Sequence, residues 1–592
     1  MDIKDDQSEF VYHEGAAFSS TSQRRGSLLS GPNISQNFIP PTNPRNINYY
    51  SSTDNNDDAA TVTSTADYSM SIVEQYIQSR RASLASRKDI VSLNPTEYSH
   101  LDSQLGAIET SFATEFFTLL KYSVPLVITF LLQFSLTVAS VFSVGRLGKS
   151  ELAAVSLASM TANISAYGII QGISTCLDTL CPQAYGRGDY RSVGLQFFRC
   201  TILLLIIYIP IYIFWVFFSE QLLTSIIQDQ PVVCELASKY LGVLVYGIPG
   251  FILFENLKHY LQAQGIFHAS TYVLVFCAPL NILLNFQLVW NETFGLGFIG
   301  APTAVVITNW CMGILLLLYT IFVRGYECWC GFTSDVLIIK NYNRMIKLAF
   351  PGLLMVEAEW LAFEIITFGA SRFGTLVLAA QSVISTTCVL MYQIPFAISI
   401  AASTRVAWFI GSASKDASIL TTKVSLIMSL LIGVINGVLL ATYRETIASL
   451  FSNDPEVIKL AGQVLILGAI YQVNDSVGCI TGGILRGQGR QYIGGWLNLL
   501  SYYCLALPVA FLCAFHFNMN LFGLWIGMVI ALFFISTIQT VVILTSDWDE
   551  IIKQSIQDAI NEQSTGNGNI LSHQPSIDHN FLSPSISCVS IE

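Results

Sequence analysis

The chain reads as an all-α membrane protein of twelve transmembrane helices in two pseudo-symmetric six-helix lobes. Three observations predict this. Of its 592 residues, 52% are hydrophobic and only 12% charged, too apolar for a soluble surface. Apolar runs long enough to span about 30 Å of hydrocarbon recur along the chain. The second half also repeats the first: Pro125 and Pro351 are 351−125 = 226 apart, as are Gly148 with Leu152-Ala153-Ala154-Val155-Ser156 and Gly374 with Leu378-Ala379-Ala380-Gln381-Ser382. Leu261-Gln262-Ala263-Gln264-Gly265 answers Leu485-Arg486-Gly487-Gln488-Gly489, with 488−264 = 224. A repeat with an even number of crossings returns the chain to its starting side, so both halves share one orientation, the plan of transporters built from parallel repeats.

Residues 1–110 are rich in Ser, Thr, Asn and Asp and hold no sustained apolar run, the composition of a disordered cytosolic tail. Within it Ser27 and Ser83 each follow an arginine pair, Arg24-Arg25 and Arg80-Arg81, a pattern open to a kinase that would add charge to the segment. The first lobe occupies 111–325, with spans expected at 113–143, 152–176, 193–218, 240–262, 268–290 and 297–323. A linker at 326–344 leads to the second lobe, 345–545, with spans at 345–370, 377–402, 420–442, 459–482, 492–515 and 520–545. In the tail at 546–592, Trp548, Ile551, Ile552, Ile556 and Ile560 suggest a short amphipathic helix lying on the membrane surface.

With the amino-terminal tail inside, the inside joints carry Arg187, Arg191, Arg199, Lys258, Arg324, Lys340, Arg344, Lys347, Arg405, Lys415, Lys423, Arg486 and Arg490. The outside joints carry only Arg146, Lys149, Lys239, Arg372, Arg444 and Lys459. An excess of Lys and Arg marks the cytosolic side, so both termini are expected there and the sequon Asn291-Glu292-Thr293 faces outward. The net charge of −11 sits largely in the tails and gives no footing for a nucleic-acid partner. Thirteen cysteines are scattered; Cys328-Trp329-Cys330 is a close pair without the His or second pair of a zinc site, so neither metal nor cofactor is expected.

An ionisable side chain at the bilayer centre costs about 2.5–3.5 kcal/mol on insertion scales, so each one found there is a functional candidate. The first half offers Asp178 and Glu255; the second offers Glu357, Glu359, Glu364 and Asp475. Glu359 lies 359−347 = 12 residues past Lys347, and Asp475 lies 486−475 = 11 before Arg486, which at 1.5 Å per residue puts them at similar depths of roughly 18 and 16 Å. Two carboxyls at one level in a low dielectric cannot both stay charged cheaply, so a proton is held or exchanged there. The repeat mate of Glu359 is Gln133 (359−226 = 133), which is neutral and concentrates titration in the second half. Asp178 sits near the inner edge, where Arg187 and water could satisfy it, and Glu255 sits beside Lys258 and His259 as a structural pair. On an ideal helix Glu357 and Glu364 share a face while Glu359 and Glu364 stand about 140° apart. Either the helix is distorted past Pro351 or one of the three acids leaves the cavity. Trp360, Tyr392 and Phe396 are candidates for stacking on a solute or for cation–π contact. Pro351 and Pro395 are places where their helices could bend.

Leu177-Asp178-Thr179-Leu180-Cys181-Pro182-Gln183-Ala184-Tyr185-Gly186 resembles a signature of eukaryotic multidrug and toxic compound extrusion (MATE) transporters. So do Glu359-Trp360-Leu361-Ala362-Phe363-Glu364 and Gly482-Gly483-Ile484-Leu485-Arg486-Gly487-Gln488-Gly489. The likeness runs through roughly residues 110–545 and is greatest to the fungal ethionine-resistance branch. It implies two six-helix lobes in a V around a cavity, a monomer in the lipid bilayer, and proton antiport of small organic solutes by alternating access. The proton would be the coupling ion, bound at Glu359, Glu364 and Asp475. Glu357 has no equivalent in the usual pattern, an acid of animal members falls on Thr386 here, and the first-helix aspartate of many bacterial members falls on Ser140. The alternative is a lipid or lipid-linked oligosaccharide flippase of the same architecture, which would favour a basic cavity. An intramembrane enzyme would need grouped His and acid residues, and His259, His268 and His516 are not grouped. The solute is expected to be cationic or drug-like, and the membrane to be that of the vacuole or the cell surface.

Overall fold

A computed structural model of the chain describes residues 110–226, 230–291 and 295–566. Ser27, Ser83 and the Glu292-Thr293 part of the sequon lie outside the described residues. Among the described residues the regular structure is helical throughout. The first lobe contains α1 (Phe112–Val144), α2 (Lys149–Arg187), α3 (Tyr190–Ser225), α4 (Pro231–Ala263), α5 (Ala269–Trp290) and α6 (Gly297–Phe322). The second contains α7 (Tyr342–Ser371), α8 (Thr375–Gly411), α9 (Lys415–Thr442), α10 (Pro455–Gln488), α11 (Gln491–His516) and α12 (Asn520–Leu544). Eleven of these, among the described residues, are long and apolar enough to cross a membrane. The twelfth, α7, has the length but carries Arg344, Lys347, Glu357, Glu359 and Glu364. Charge of this kind inside a span is rare and costly.

Local chemistry sets the ends. Ser111 caps α1 by accepting from the Thr114 amide at 3.2 Å, Asp189 caps α3 from Ser192 at 3.1 Å, and Asp454, followed by Pro455, caps α10 from Glu456 at 2.9 Å. Gly265 and Gly489, the repeat mates that follow α4 and α10, both take left-handed φ of 79° and 75°, a conformation that stops a helix at little cost only for glycine. The backbone of α2 widens into a π-turn at Asn163–Tyr167. Pro210, Pro351 and Pro395 lie inside continuous helices.

Each lobe has its own core, around Val155, Phe197, Leu257 and Leu316 in the first and Ile366, Leu465, Tyr502 and Trp525 in the second. Large apolar side chains such as Phe117, Phe142, Phe217, Phe368 and Phe533 point outward, as lipid requires. The lobes meet along two pseudo-equivalent seams. On one, α1 packs against α8 through Leu126, Phe130, Ala397 and Ile400. On the other, α7 approaches α2 where a Cβ on Gly172 would meet the Leu353 backbone and one on Gly352 would meet Gly172. Small residues permit close backbone approach, a main source of helix association in lipid.

Even-numbered helices end, and odd-numbered ones begin, on one face. There Glu115 of α1 pairs with Arg405 of α8, and Asp549 pairs with Lys415 of α9, so both ends of the described chain lie on this basic face. The carboxy-terminal segment differs from expectation. Its helix, Trp548–Gly566, does turn Trp548, Ile551, Ile552 and Ile556 to one side, but they are buried against Val406, Ile410 and Ala413 at the end of α8. The apolar stripe is covered by protein, not by the membrane surface.

Candidate functional site

An acid pair, Asp475 buried and Glu359 partly buried, lies within the second lobe. A four-residue spacing aligns Tyr471, Asp475 and Cys479 on one stripe of α10, and Cys388, Tyr392 and Phe396 on a facing stripe of α8. Glu359 reaches in from α7, and Tyr502 from a π-turn in α11, Ser501–Ala506. Asp475 is 3% exposed and its Oδ2 has no hydrogen-bond partner. Glu359 and Asp475 act electrostatically on each other, and both act on Tyr392, Tyr471, Tyr502 and Cys479. No ion pair reaches either acid among the described residues, and no basic group is among those acting on them. Two carboxyls in a low-dielectric site without a cation are costly to keep charged together, so uptake of positive charge there is favoured.

The other acids of α7 part company with this pair. The helix stays continuous to Ser371, so the angular separations of an ideal helix hold. Glu357 points across the lobe boundary: its Oε1, buried and unpartnered, occupies the space beside Gly168 of α2, and Tyr503 of α11 is its ionisable neighbour. Glu364, partly buried, lies two turns further on the Glu357 side. Trp360 is partly buried next to Glu359. Tyr392 stacks on Phe396 at 5.3 Å, and Phe396 meets Phe130 of α1 at 5.0 Å, so a row of rings runs from the acid pair to the first lobe. Lys258 lies over Phe130 at 5.3 Å and pairs with Glu255.

The first lobe has no acid at the corresponding place. Gln133 is partly buried on α1, one turn beyond Phe130. Two turns further along α1, Ser140 accepts from Asn285 at 3.5 Å; Asn285 also donates to Asn281, which donates to Thr308 at 2.9 Å. All four residues of that network are buried, neutral and bonded to one another.

Asp178 belongs to a different structure, the closure of the two lobes at the basic face. His259 Nδ1 meets its Oδ1 at 2.6 Å, and Arg486 Nε of α10 approaches its Oδ2 at 3.4 Å. His259 thus binds one oxygen of Asp178, and the positive charges of Arg486 and Lys258 act on it as well. Thr179 donates to the Arg486 carbonyl, Gln183 to the Gly487 carbonyl at 3.1 Å, and Gln491 to the Thr175 carbonyl at 3.2 Å, all from one lobe to the other. Below them α2 and α8 touch reciprocally. A Cβ on Gly186 would strike the Trp408 carbonyl, and one on Gly411 would strike the Gln183 carbonyl. The repeat explains the symmetry, since 411−186 and 408−183 are both 225. The offset is one less than at the start of α2, and the π-turn in α2 supplies the one extra residue.

Sequence reasoning did not identify Tyr471, Tyr502 and Cys479, although their helical spacing from Asp475 was available for the two on α10. It used Arg486 only as a marker of the basic face, because nothing local pairs residues 486−178 = 308 apart.

Two six-helix units, closed against each other at one face and with an acid pair inside the second, define a two-lobed membrane transporter. The family model MatE matches residues 125–287 and again 351–512, the two copies offset by 351−125 = 226. The chain belongs to the MatE family. An uncharacterized transporter of Saccharomyces cerevisiae is 45% identical over 77% of this chain and 66% of its own length. Multidrug and toxin extrusion protein 2 of Mus musculus is 29% identical over 76% of this chain and 78% of its own. The crystal structure of the eukaryotic MATE transporter AtDTX14 superposes with a TM-score of 0.71 at 25% identity, covering 75% of this chain and 98% of that one.

Proposed function

We propose that this protein is a proton-coupled antiporter that exports or sequesters small organic solutes, cationic or drug-like, by alternating access. The observation that carries the reading is the pair of buried Asp475 and partly buried Glu359, which no ion pair satisfies among the described residues. A cationic solute is held by the pair's negative charge; a proton arriving there removes that charge and releases the solute. Linkage makes the effect reciprocal, so solute binding drives proton loss. Tyr392, Tyr471 and Tyr502 supply ring faces for an organic cation. The names of the mouse and zebrafish relatives, multidrug and toxin extrusion proteins, support this solute class. The basic face is cytosolic by its Lys and Arg content, so the closure at Asp178 and Arg486 shuts the cytosolic side and leaves release to the other. A flippase of the same architecture would favour cations in the pocket for a phosphate headgroup, and here acids stand there.

The test is flux in proteoliposomes. Efflux of a cationic dye should require an inward-directed proton gradient and should acidify the compartment from which the dye leaves. Equal dye flux with and without the gradient, or headgroup translocation in its place, would remove the reading.

A further inference from the structure

We propose that the carboxy-terminal helix, Trp548–Gly566, is a strap that holds the two lobes together at the basic face and must lift before they can part there. It reaches beyond the transport reading but shares its premise that the lobes separate.

The helix is built to dock. Asp547 accepts from the Asp549 amide at 3.0 Å and the Glu550 amide at 3.3 Å, capping its start, and these two acids favour the positive end of the helix dipole. Its apolar stripe is buried on the second lobe, on Val406, Ile410 and Ala413. Its polar contacts continue onto the first. Ser555 donates to Gln183 Oε1 of α2 at 2.8 Å, and Glu562 accepts from Gln196 at 2.6 Å and from Arg199, both of α3. Arg344, at the start of α7, comes within 3.4 Å of Asp558 and donates to the same Gln183 oxygen at 3.2 Å. Gln183 is also the residue whose carbonyl abuts Gly411 and whose amide binds Gly487 across the lobe boundary. One side chain thus joins the strap to the closure beneath it.

Opening the basic face moves α2 and α3 away from α8 and α10. The strap is buried on α8, so the motion must break its bonds to Gln183, Gln196 and Arg199 or pull Ile552 and Ile556 from their site. Arg199 and Glu562 are largely buried, so parting them breaks a charge pair in a poorly solvated place and leaves Arg199 with the Asp335 carbonyl and Glu562 with the more distant Arg344 guanidinium at 3.9 Å. The closed arrangement is therefore favoured as long as the strap stays down, and whatever removes it shifts the population toward lobes open at this face.

The experiment measures the distance between paramagnetic labels at two exposed basic-face positions, 191 on the first lobe and 416 on the second, in full-length protein in liposomes without solute or pH gradient. A chain ending at Asp547 should gain a longer-distance component, raised about ten-fold, the factor expected from losing one hydrogen bond to a charged group. Arg199→Glu should do the same in the complete chain, and adding Glu562→Arg should restore the short distance, which a merely misfolded variant would not do. Unchanged distances in both the shortened chain and Arg199→Glu would overturn the strap, as would failure of Glu562→Arg to restore closure. Because no flux enters the measurement, the strap and the transport reading can fail independently.

Discussion

Asp178 and Arg486, 308 residues apart, meet across the lobe boundary with Oδ2 3.4 Å from Nε, and His259 takes the other carboxylate oxygen at 2.6 Å. Their repeat mates are Ser403 (178+225) and Gln262 (486−224), both buried, with the Ser403 hydroxyl and both Gln262 amide atoms unpartnered. The pseudo-symmetric molecule thus places one charge pair where an even copy would place two. Removing one partner of a buried pair leaves an uncompensated charge, at a cost of about 3–5 kcal/mol. Asp178→Asn should therefore lower the thermal unfolding midpoint and weaken closure at the basic face. The double change Asp178→Asn with Arg486→Gln should recover much of that stability. A double variant as unstable as the sum of the two singles would show that they do not interact.

The acid pair makes a separable prediction. Glu359→Gln and Asp475→Asn keep shape and remove charge, so each should insert and fold normally while proton-driven efflux falls by two orders of magnitude or more. Glu364→Gln, on another side of α7, should affect efflux less than Glu359→Gln. Undiminished efflux in vesicles carrying Glu359→Gln would refute its role.

The reciprocal glycine contact predicts a steric block. Gly186→Ala and Gly411→Ala each put a methyl against a backbone carbonyl that no rotamer change can move, so both should hold the basic face apart. Export should fail in each, with membrane insertion retained and with similar severity because the repeat relates them. Gly242→Ala, where a Cβ meets nothing within 4 Å, is the matched control and should transport normally. Wild-type export from Gly186→Ala would show that closure there is not part of the cycle.

Much of this was legible in the sequence, for physical reasons. Eleven spans announced themselves because lipid demands uninterrupted apolar runs, the charged α7 followed from its place in the repeat, and the repeat offset located equivalent positions in the two lobes. The inner ends of α2, α8 and α10 were cut short: Leu177–Arg187, Ser403–Gly411 and Gly483–Gln488 lie past the expected spans, yet they are helical and buried, α2 and α8 against each other across the lobe boundary and α10 against both. The stripe of Trp548, Ile551, Ile552 and Ile556 was visible, but periodicity cannot say whether lipid or protein covers an apolar face. Glu359 and Asp475 could be placed by depth from basic residues at the same face. The partners of Asp178 and the direction of Glu357 depend on contacts between distant segments and leave no local trace.

Glu357 gives the last prediction. Its Oε1 fills the space beside Gly168 at the α2–α7 seam, where the π-turn carbonyl of Asn163 also lies close. A methyl on Gly168 and this carboxylate cannot coexist without a shift, and overpacking of this kind typically costs about 1–3 kcal/mol. Gly168→Ala should lower the unfolding midpoint and slow transport. Glu357→Ala alone should be mild, since the acid lies outside the Glu359–Asp475 pair and has no hydrogen bond at Oε1 to lose. Combined with Gly168→Ala, it should restore stability by vacating the space the methyl needs. If the double variant is no more stable than Gly168→Ala, the two side chains do not compete for that volume, and Glu357 lies elsewhere during the cycle.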